Sequence, residues 1–143
     1  MYLVDTDVIS VGPRRIVSPA LVQWIDENSD RIFLSSITIA EIENGIAKVR
    51  LQDSRRKADQ LREWLETLLH LYQERVLPFD VPAARIAGRL SDRARAKGLS
   101  PGFPDLAIAA TAVAHRLSVL TRNVRHFAPL EISAHNPVES LPE

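Results

Sequence analysis

Three acidic residues at predicted strand ends and helix starts are the candidates for chemistry in this chain. Asp5 directly follows the apolar run Tyr2-Leu3-Val4. Glu41 lies in the first turns of a predicted helix, and Asp105 opens another. In a parallel α/β sheet the carboxyl ends of the strands gather along one crevice, so residues far apart in sequence converge there. Convergent carboxylates suit a hard divalent cation such as Mg²⁺, and the pattern therefore predicts a metal-dependent hydrolase.

Each carboxylate also has an ordinary structural explanation. Asp5 follows a buried strand and must leave the core or find a charged partner, unless it only caps the next turn. Asp105 begins an apolar helix, where its charge would also offset unpaired N–H groups at the positive end of the helix dipole. Glu41 alone is unremarkable, and Glu43 points elsewhere on the same helix and is expected in solvent. The combination of acids, rather than any single one, favours a site.

Composition limits the protein to a single domain spanning residues 1–143. A chain of 143 residues can bury roughly two-thirds of its unfolded surface. The 45% hydrophobic and 25% charged content is that of an ordinary globular protein. No apolar run approaches the ~18 residues of a membrane helix and no signal-peptide pattern is present, so we expect no membrane association. The absence of cysteine excludes a disulfide framework or thiolate metal site and fits a cytoplasmic location.

The net charge is zero, so the chain as a whole does not attract nucleic acid electrostatically. A local basic patch remains possible, because the positive residues occur in clusters along the sequence. The clusters are Arg14-Arg15, Arg55-Arg56-Lys57, Arg93-Arg95-Lys97 and Arg122-Arg125.

Short apolar strands alternate with helices along the sequence. The predicted strands are Tyr2–Val4, Arg31–Leu34, Val76–Phe79, Ser118–Thr121 and, more weakly, Glu131–Ser133. The predicted helices run from Ser18 to about Asn28, from Ser35 through Ile46, from Gln52 to Tyr72, from Ala83 to before Gly98, and from Asp105 to Ala114. This alternation predicts a three-layer α/β/α domain with a central, mostly parallel sheet of four to five strands.

Two details of the predicted helices bear on packing. Gly45 costs ~1 kcal/mol against alanine in a helix interior, so a close packing contact is predicted there. In the Gln52–Tyr72 helix, one stripe carries Leu61, Leu65, Leu68 and Tyr72. The stripe either packs in the core or, with Trp64 and Leu71 beside it, offers a surface to a protein partner.

Four segments of the chain together match a known pattern: Leu3 to Ser10, Leu34 to Ile42, Pro104 to Ala112, and Leu120-Thr121-Arg122-Asn123. In this order and spacing they resemble the PIN-domain ribonucleases, and most closely the VapC-type toxins with their FitB-like branch. The resemblance covers almost the whole chain. It implies a PIN-like α/β/α fold and Mg²⁺- or Mn²⁺-dependent endoribonuclease activity. It also implies a homodimer, a cognate VapB-like antitoxin that blocks the site, and DNA association through that antitoxin.

The family acids carry over to Asp5, Glu41 and Asp105, and Asn123 stands at a fourth position that some members fill with aspartate. This chain departs from the family there. His126 occupies a place where many members have an acid, so residues 121–127 contain no carboxylate.

Asp7 departs in the other direction, since it is an acid where asparagine is frequent in the family. We hypothesise that Asp7 replaces the acid missing from residues 121–127, so that the number of acids near the metal is unchanged. These departures bear on whether a second metal ion binds.

A metal mechanism assigns roles to these residues. Asp5 and Asp105 are the predicted ligands, because Mg²⁺ usually takes only one or two protein carboxylates. Glu41 holds a metal-bound water or orients the attacking one. The metal activates water, so a 5′-phosphate product is expected.

Supporting roles are predicted for four neighbours of these acids. Thr6 supports Asp5 by hydrogen bonding, and Asn123 supplies a neutral oxygen or a phosphate contact. Arg122 lies with Arg125 at the mouth of the crevice, where guanidinium groups suit phosphate, unless both are ordinary solvated arginines.

Three other interpretations stay open. The chain is a catalytically weak PIN module that serves mainly as an antitoxin or DNA-complex partner. Alternatively Asp5-Thr6-Asp7-Val8 is the opening motif of a haloacid-dehalogenase-like phosphatase, although the chain lacks the later acidic pair. Histidine catalysis is the third, and only His126 is expected near the site, since His70, His115 and His135 have no metal-ligand spacing.

Overall fold

The structure is a computed structural model that describes residues 1–9, 18–52 and 54–143, and in these residues five short strands form one sheet. The strands are β1 (Tyr2–Val4), β2 (Ile32–Ser35), β3 (Val76–Leu77), β4 (Ser118–Leu120) and β5 (Ala134–His135). Their order is β3-β2-β1-β4-β5, and every neighbouring pair is parallel. The chain therefore builds outward from β1 in one direction and from β4 in the other. The boundary between β1 and β4 is the topological switch point of the sheet.

Seven helices in the described residues connect and cover these strands: α1 (Thr6–Ile9), α2 (Pro19–Glu27), α3 (Ser36–Gln52), α4 (Arg55–Tyr72), α5 (Val81–Ala96), α6 (Phe103–Ala114) and α7 (Val124–Phe127). Side-chain caps fix two of their starts. Ser54 accepts a hydrogen bond from the Lys57 N–H at the start of α4, and Asp80 accepts one from the Ala83 N–H at the start of α5.

Helices cover both faces of the sheet, as alternate residues of β1 and β4 show. Leu3 and Val119 pack in a core with the buried residues of α5 and α6. Val4 and Leu120 point to the opposite face and pack in a second core with α2, α3 and α4. Because both faces of β1 and β4 are covered, Leu3-Val4 and Val119-Leu120 are apolar at consecutive positions. The predicted three-layer α/β/α architecture is confirmed.

Helix α6 is the most deeply buried helix of the described part. Seven consecutive residues, 106–112, are buried, because the helix packs against α5 on one side and contacts β1 and β4 on the other. Alanines at four of these positions let the neighbouring backbones approach closely. The helix begins at Phe103, two residues earlier than predicted, so Asp105 lies within its first turn.

The apolar stripe of α4 packs in the core. Leu65, Leu68 and Tyr72 are buried in the second core, and Leu61 and Trp64 pack partly buried against it. This overturns the alternative that the stripe is a surface for a protein partner. Beside the stripe, Leu71 remains 62% exposed.

Several predicted boundaries were wrong, for local reasons. Strand β3 ends at Leu77 because Pro78 has no N–H, and the next N–H, of Phe79, donates to Ser36 Oγ (3.0 Å) instead. The fifth strand lies at Ala134–His135, since Glu131 adopts a left-handed conformation with φ of 56° and turns the chain.

Other details of the helices also differ from expectation. Gln52 ends α3 and does not begin the next helix. No atom lies within 4 Å of a Cβ built on Gly45, so the close contact predicted there is absent. Ser10 of the first motif and the Arg14-Arg15 cluster lie outside the described residues. Within the described part of the chain, no helix combines the length and the apolar character needed to cross a bilayer.

Candidate active site

Asp5 lies at the switch point of the sheet and joins its two halves. Its main-chain N–H donates to the carbonyl oxygen of Leu120 at the end of β4 (2.8 Å). Its carboxylate accepts from the Thr6 N–H at Oδ1 (2.8 Å) and from the Thr121 hydroxyl at Oδ2 (2.9 Å). The residue is only 5% exposed. Strand order thus brings residues 5 and 121 together across 116 positions of sequence.

The site concentrates negative charge at Asp5. Burial, together with the smaller effects of the nearby Asp7 and Asp105 charges, raises the pKa of its carboxyl from 3.8 to about 7. The bonds from Thr121 and Thr6 act in the opposite direction but do not cancel the effect. The carboxyl is therefore harder to ionise than an ordinary aspartate, and a cation bound beside it would relieve that cost.

Asp7 is held by the segment that follows β4. Its carboxylate accepts from the main-chain N–H of Arg122 (3.1 Å) and from the side-chain amide of Asn123 (2.8 Å). Burial raises the pKa of Asp7, whereas the N–H and the charge of Arg122 lower it. The Asn123 N–H donates to the hydroxyl of Thr121, the same hydroxyl that binds Asp5. Asn123 therefore faces the acids as a donor, and its amide orients Asp7.

Glu41 connects to this cluster through Thr6. The Thr6 hydroxyl donates to Glu41 Oε1 (2.7 Å) and lies 3.1 Å from the hydroxyl of Thr38. Thr6 thus supports Asp5 through its main-chain N–H, whereas its side chain binds Glu41. Helix α3 places Thr38 and Glu41 one turn apart, so both face α1.

Asp105 enters from the first turn of α6 and pairs with His126 of α7. Nδ1 of His126 lies 3.2 Å from Asp105 Oδ2. The Asp105 side chain is 29% exposed and that of His126 48%, so this pair lies nearer to solvent than Asp5. Because an ionised carboxylate only accepts hydrogen bonds, the ring donates from Nδ1. His126 thereby fixes one oxygen of Asp105 and leaves the other unpaired among the described residues.

The structure brings every predicted site residue into one linked cluster. Hydrogen bonds connect Asp5, Thr6, Asp7, Glu41, Arg122 and Asn123 through Thr121, and the charge of Asp105 reaches both Asp5 and Asp7. Asp105 brings His126 with it.

Thr121, which binds Asp5 directly, was missed as a site residue, although its position right after a buried strand was a usable signal. The other three histidines have no contact with the acids among the described residues.

The donor set fits a divalent cation bound by few protein ligands. In the described residues no three His, Cys, Asp or Glu side chains converge closely enough to hold one ion together. Mg²⁺, however, keeps several waters and usually takes one or two carboxylates. Each Asp5 oxygen accepts one hydrogen bond and retains a lone pair. A buried carboxylate with a raised pKa beside two more acids is a place where a cation relieves the repulsion.

Comparison with known proteins agrees with this geometry. Residues 2–130 match the model of the PIN domain. The chain belongs to the PIN domain family. It is 37% identical to the toxin FitB of Neisseria gonorrhoeae, with 96% of this chain and 98% of the relative covered. It is 38% identical to the VapC ribonuclease Y4jK of Sinorhizobium fredii, with 97% and 99% covered. It is 37% identical to the plasmid stability protein StbB of Pseudomonas syringae pv. tomato, with 98% and 100% covered.

Solved structures of the PIN family share the fold of this chain. FitAcB from Neisseria gonorrhoeae superposes with a TM-score of 0.83 at 36% identity, covering 96% of this chain and 98% of that one. FitAB bound to an IR36 DNA fragment superposes with a TM-score of 0.84 at 35% sequence identity, with 96% of each chain covered. The resemblance predicted from the sequence is confirmed, and the haloacid-dehalogenase interpretation is wrong, since the whole chain matches PIN proteins.

Proposed function

We propose that this protein is a Mg²⁺- or Mn²⁺-dependent endoribonuclease and the toxin of a type II, VapBC-like toxin–antitoxin pair. One observation carries the proposal. The carboxylate of Asp5 is buried at the switch point of the sheet and retains a lone pair on each oxygen, with two further acids beside it. The names of the relatives as toxin and as ribonuclease support the choice of RNA as substrate.

Asp5 and Asp105 would hold the metal ion. Asp5 contributes an inner, fixed carboxylate, because two hydrogen bonds determine its orientation. Asp105 contributes an outer one that His126 orients. A divalent ion held there would supply activation of water and stabilisation of the charge on the phosphate.

The other residues orient water and substrate. Glu41 is fixed by the Thr6 hydroxyl and would accept a hydrogen bond from the attacking water. Asn123 acts mainly by orienting Asp7, and Arg122 would bind the phosphate. Because water rather than the neighbouring 2′-hydroxyl attacks, the product should carry a 5′-phosphate.

Partners follow from the same proposal. We infer a single PIN domain over residues 1–143, a homodimer, and a VapB-like antitoxin that covers the acidic site and carries the pair to DNA. The solved FitAcB and FitAB–DNA structures of relatives support the antitoxin and its DNA association, whereas the homodimer rests on the family resemblance alone. Cytoplasmic location stays a prediction from the absence of cysteine.

The deciding experiment is cleavage of RNA by the purified chain with Mg²⁺ or Mn²⁺, against EDTA and against Asp5→Asn. Asp92→Asn is the matched control, because its side chain is 85% exposed and lies on α5, away from the acids. We expect 5′-phosphate products that both EDTA and Asp5→Asn abolish and Asp92→Asn preserves. Cleavage that survives EDTA would exclude the metal mechanism and direct attention to His126.

A weak or silent nuclease is the second candidate, and one feature favours it. Residues 121–127 contain no carboxylate, whereas the family pattern often has an acid in this segment, at the position of His126. The same assay separates the two functions. A chain that binds metal and antitoxin yet cleaves none of a broad set of RNAs would be a binding module.

A further inference from the structure

A cavity of about 570 Å³ lies next to the acidic site, and the site's proposed metal ligands do not line it. It borders the acids through Arg122 and Asn123, both of which line the cavity and hydrogen-bond Asp7. Its volume falls in the range of about 300–1,000 Å³ that small-ligand pockets occupy. Of its lining residues, the roles proposed above use only Arg122 and Asn123, at the border with the acids.

The cavity forms where two parallel strands end. Residues 122–125 follow β4 and residues 134–136 include and follow β5, while Glu139 and Ser140 of the C-terminal segment complete the wall. Both strands are parallel to β1, so their carboxyl ends lie on the same edge of the sheet as Asp5. A substrate strand lying over Asp5 therefore reaches the cavity by continuing along that edge.

Two arginines give the cavity its positive charge. Arg122 and Arg125 both line it, and both are exposed. Neither forms an ion pair with a carboxylate among the described residues, although the charge of Arg122 does act on Asp7. Unpaired guanidinium groups beside a cavity suit phosphate oxygens, which they bind through paired N–H groups.

The remaining polar groups present both donors and acceptors. His135 must donate from Nε2, because its partner is the carbonyl oxygen of Ser140 (2.6 Å). In the neutral ring its Nδ1 is then an acceptor. Asn136 uses Oδ1 to accept from the Val138 N–H, which leaves its amide hydrogens as donors. Glu139 adds a carboxylate that accepts only. A nucleobase edge needs such mixed partners, whereas a simple anion does not.

We propose that this cavity binds one nucleotide of the RNA strand, next to the phosphate that is cleaved. The inference rests on the proposed nuclease function and adds a subsite to it. Arg122 and Arg125 bind the phosphate of that nucleotide, and Asn136 and Glu139 contact its base. A carboxylate in the wall favours a base with an exocyclic amino group, so the subsite contributes to sequence preference.

RNA fits this cavity better than a protein segment does. Anchors of protein partners are enriched in Trp, Tyr and Arg; an aromatic anchor needs apolar walls, and an arginine anchor would be repelled by Arg122 and Arg125. Here only Val124 and Ala134 are apolar, and the rest of the wall is polar or charged.

The test combines nucleotide binding with cleavage kinetics in Arg125→Ala and Asn136→Ala. Arg89→Ala is the matched control, an exposed arginine of α5 that does not line the cavity. Binding is followed by NMR titration of the 143-residue chain in EDTA with each of the four 5′-mononucleotides. We expect shifts at Arg125, Asn136 and Glu139, and a dissociation constant about 5- to 10-fold weaker in either variant, equivalent to about 1–1.4 kcal/mol.

In the cleavage assay we expect KM to rise 5- to 10-fold in Arg125→Ala, with kcat unchanged. If nucleotides bind at the cavity but neither the wild type nor any variant cleaves RNA, the subsite is supported and the nuclease function is rejected. Normal cleavage with an unchanged KM in both variants would overturn the subsite and leave the nuclease intact. The subsite is equally rejected if the variants weaken antitoxin binding while nucleotides still bind normally.

Discussion

Asp5→Asn should abolish cleavage and at the same time stabilise the metal-free protein. The variant keeps a side chain of nearly the same shape, and its amide oxygen still accepts from the Thr6 N–H. Its amide nitrogen then donates to the hydroxyl of Thr121, which has two acceptor lone pairs and also accepts from the Asn123 N–H. The hydroxyl hydrogen of Thr121 must then turn to Asp7 Oδ2, which lies 3.5 Å away, and the substitution removes the buried charge.

The size of the effect follows from the pKa. Raising the pKa of Asp5 from 3.8 to about 7 corresponds to roughly 4 kcal/mol of cost for ionising it in the folded protein. The contribution of Asp5 to the free energy of unfolding is fully present below pH 3.8 and is lost as pH rises through about 7. The neutral amide loses nothing over that range. We expect the variant to exceed the wild type by about 2–4 kcal/mol in free energy of unfolding at pH 8, and by little at pH 4.

The assay is urea unfolding in EDTA at several pH values between 4 and 8, with Asp92→Asn as the exposed control. Carboxylates remote from Asp5 titrate equally in both proteins, so the pH dependence of the difference reports Asp5 together with the acids whose charges act on it. Mg²⁺ or Mn²⁺ should reduce the difference in free energy of unfolding between the two proteins, because an ion that binds the folded wild type stabilises it by mass action. A difference that does not change with pH, or a variant less stable than the wild type at pH 8, would refute the electrostatic account.

Two further predictions concern neighbouring features. Thr121→Val should destabilise the protein by about 1–3 kcal/mol in urea unfolding and should slow cleavage, since it leaves a buried Asp5 oxygen without its donor. Thr121→Ser keeps the hydroxyl and should behave like the wild type in both assays. Equal defects in the serine variant would show that the methyl group matters instead. Gly45→Ala should stabilise α3 by about 0.5–1 kcal/mol, because the new methyl group meets no atom within 4 Å. Calorimetry should then show a melting temperature about 2–3 °C higher, and a lower one would mean that the site is crowded.

The sequence predicted the layers and the acids of the site because both follow from local pattern. The strand Tyr2–Val4 is too short and too apolar to be anything but buried, and Asp5 must then lie at its carboxyl end. The apolar faces of α4 and the all-round apolar character of α6 likewise determine which residues lie inside. Those properties depend on a few neighbouring residues, and the structure retains them.

Hydrogen-bond partners could not be predicted, because they depend on register between distant elements. Nothing near Thr121 shows that its hydroxyl meets Asp5 rather than solvent. The same applies to Thr6, whose side chain binds Glu41 of α3 instead of its own neighbour Asp5. The prediction of a close contact at Gly45 was wrong for another reason, since a helix tolerates the small cost of a glycine even where no neighbour requires it.

The order of strands also has a consequence for biosynthesis. Asp5 is made first, but the hydroxyl that fixes its carboxylate comes from Thr121, and β4 must pair with β1 before the two meet. A growing chain that ends before residue 121 therefore lacks the arrangement of the site, however well its first strands fold. For the nuclease proposed above, the site can assemble only after residue 121 of 143 has emerged from the ribosome, at or near the end of synthesis.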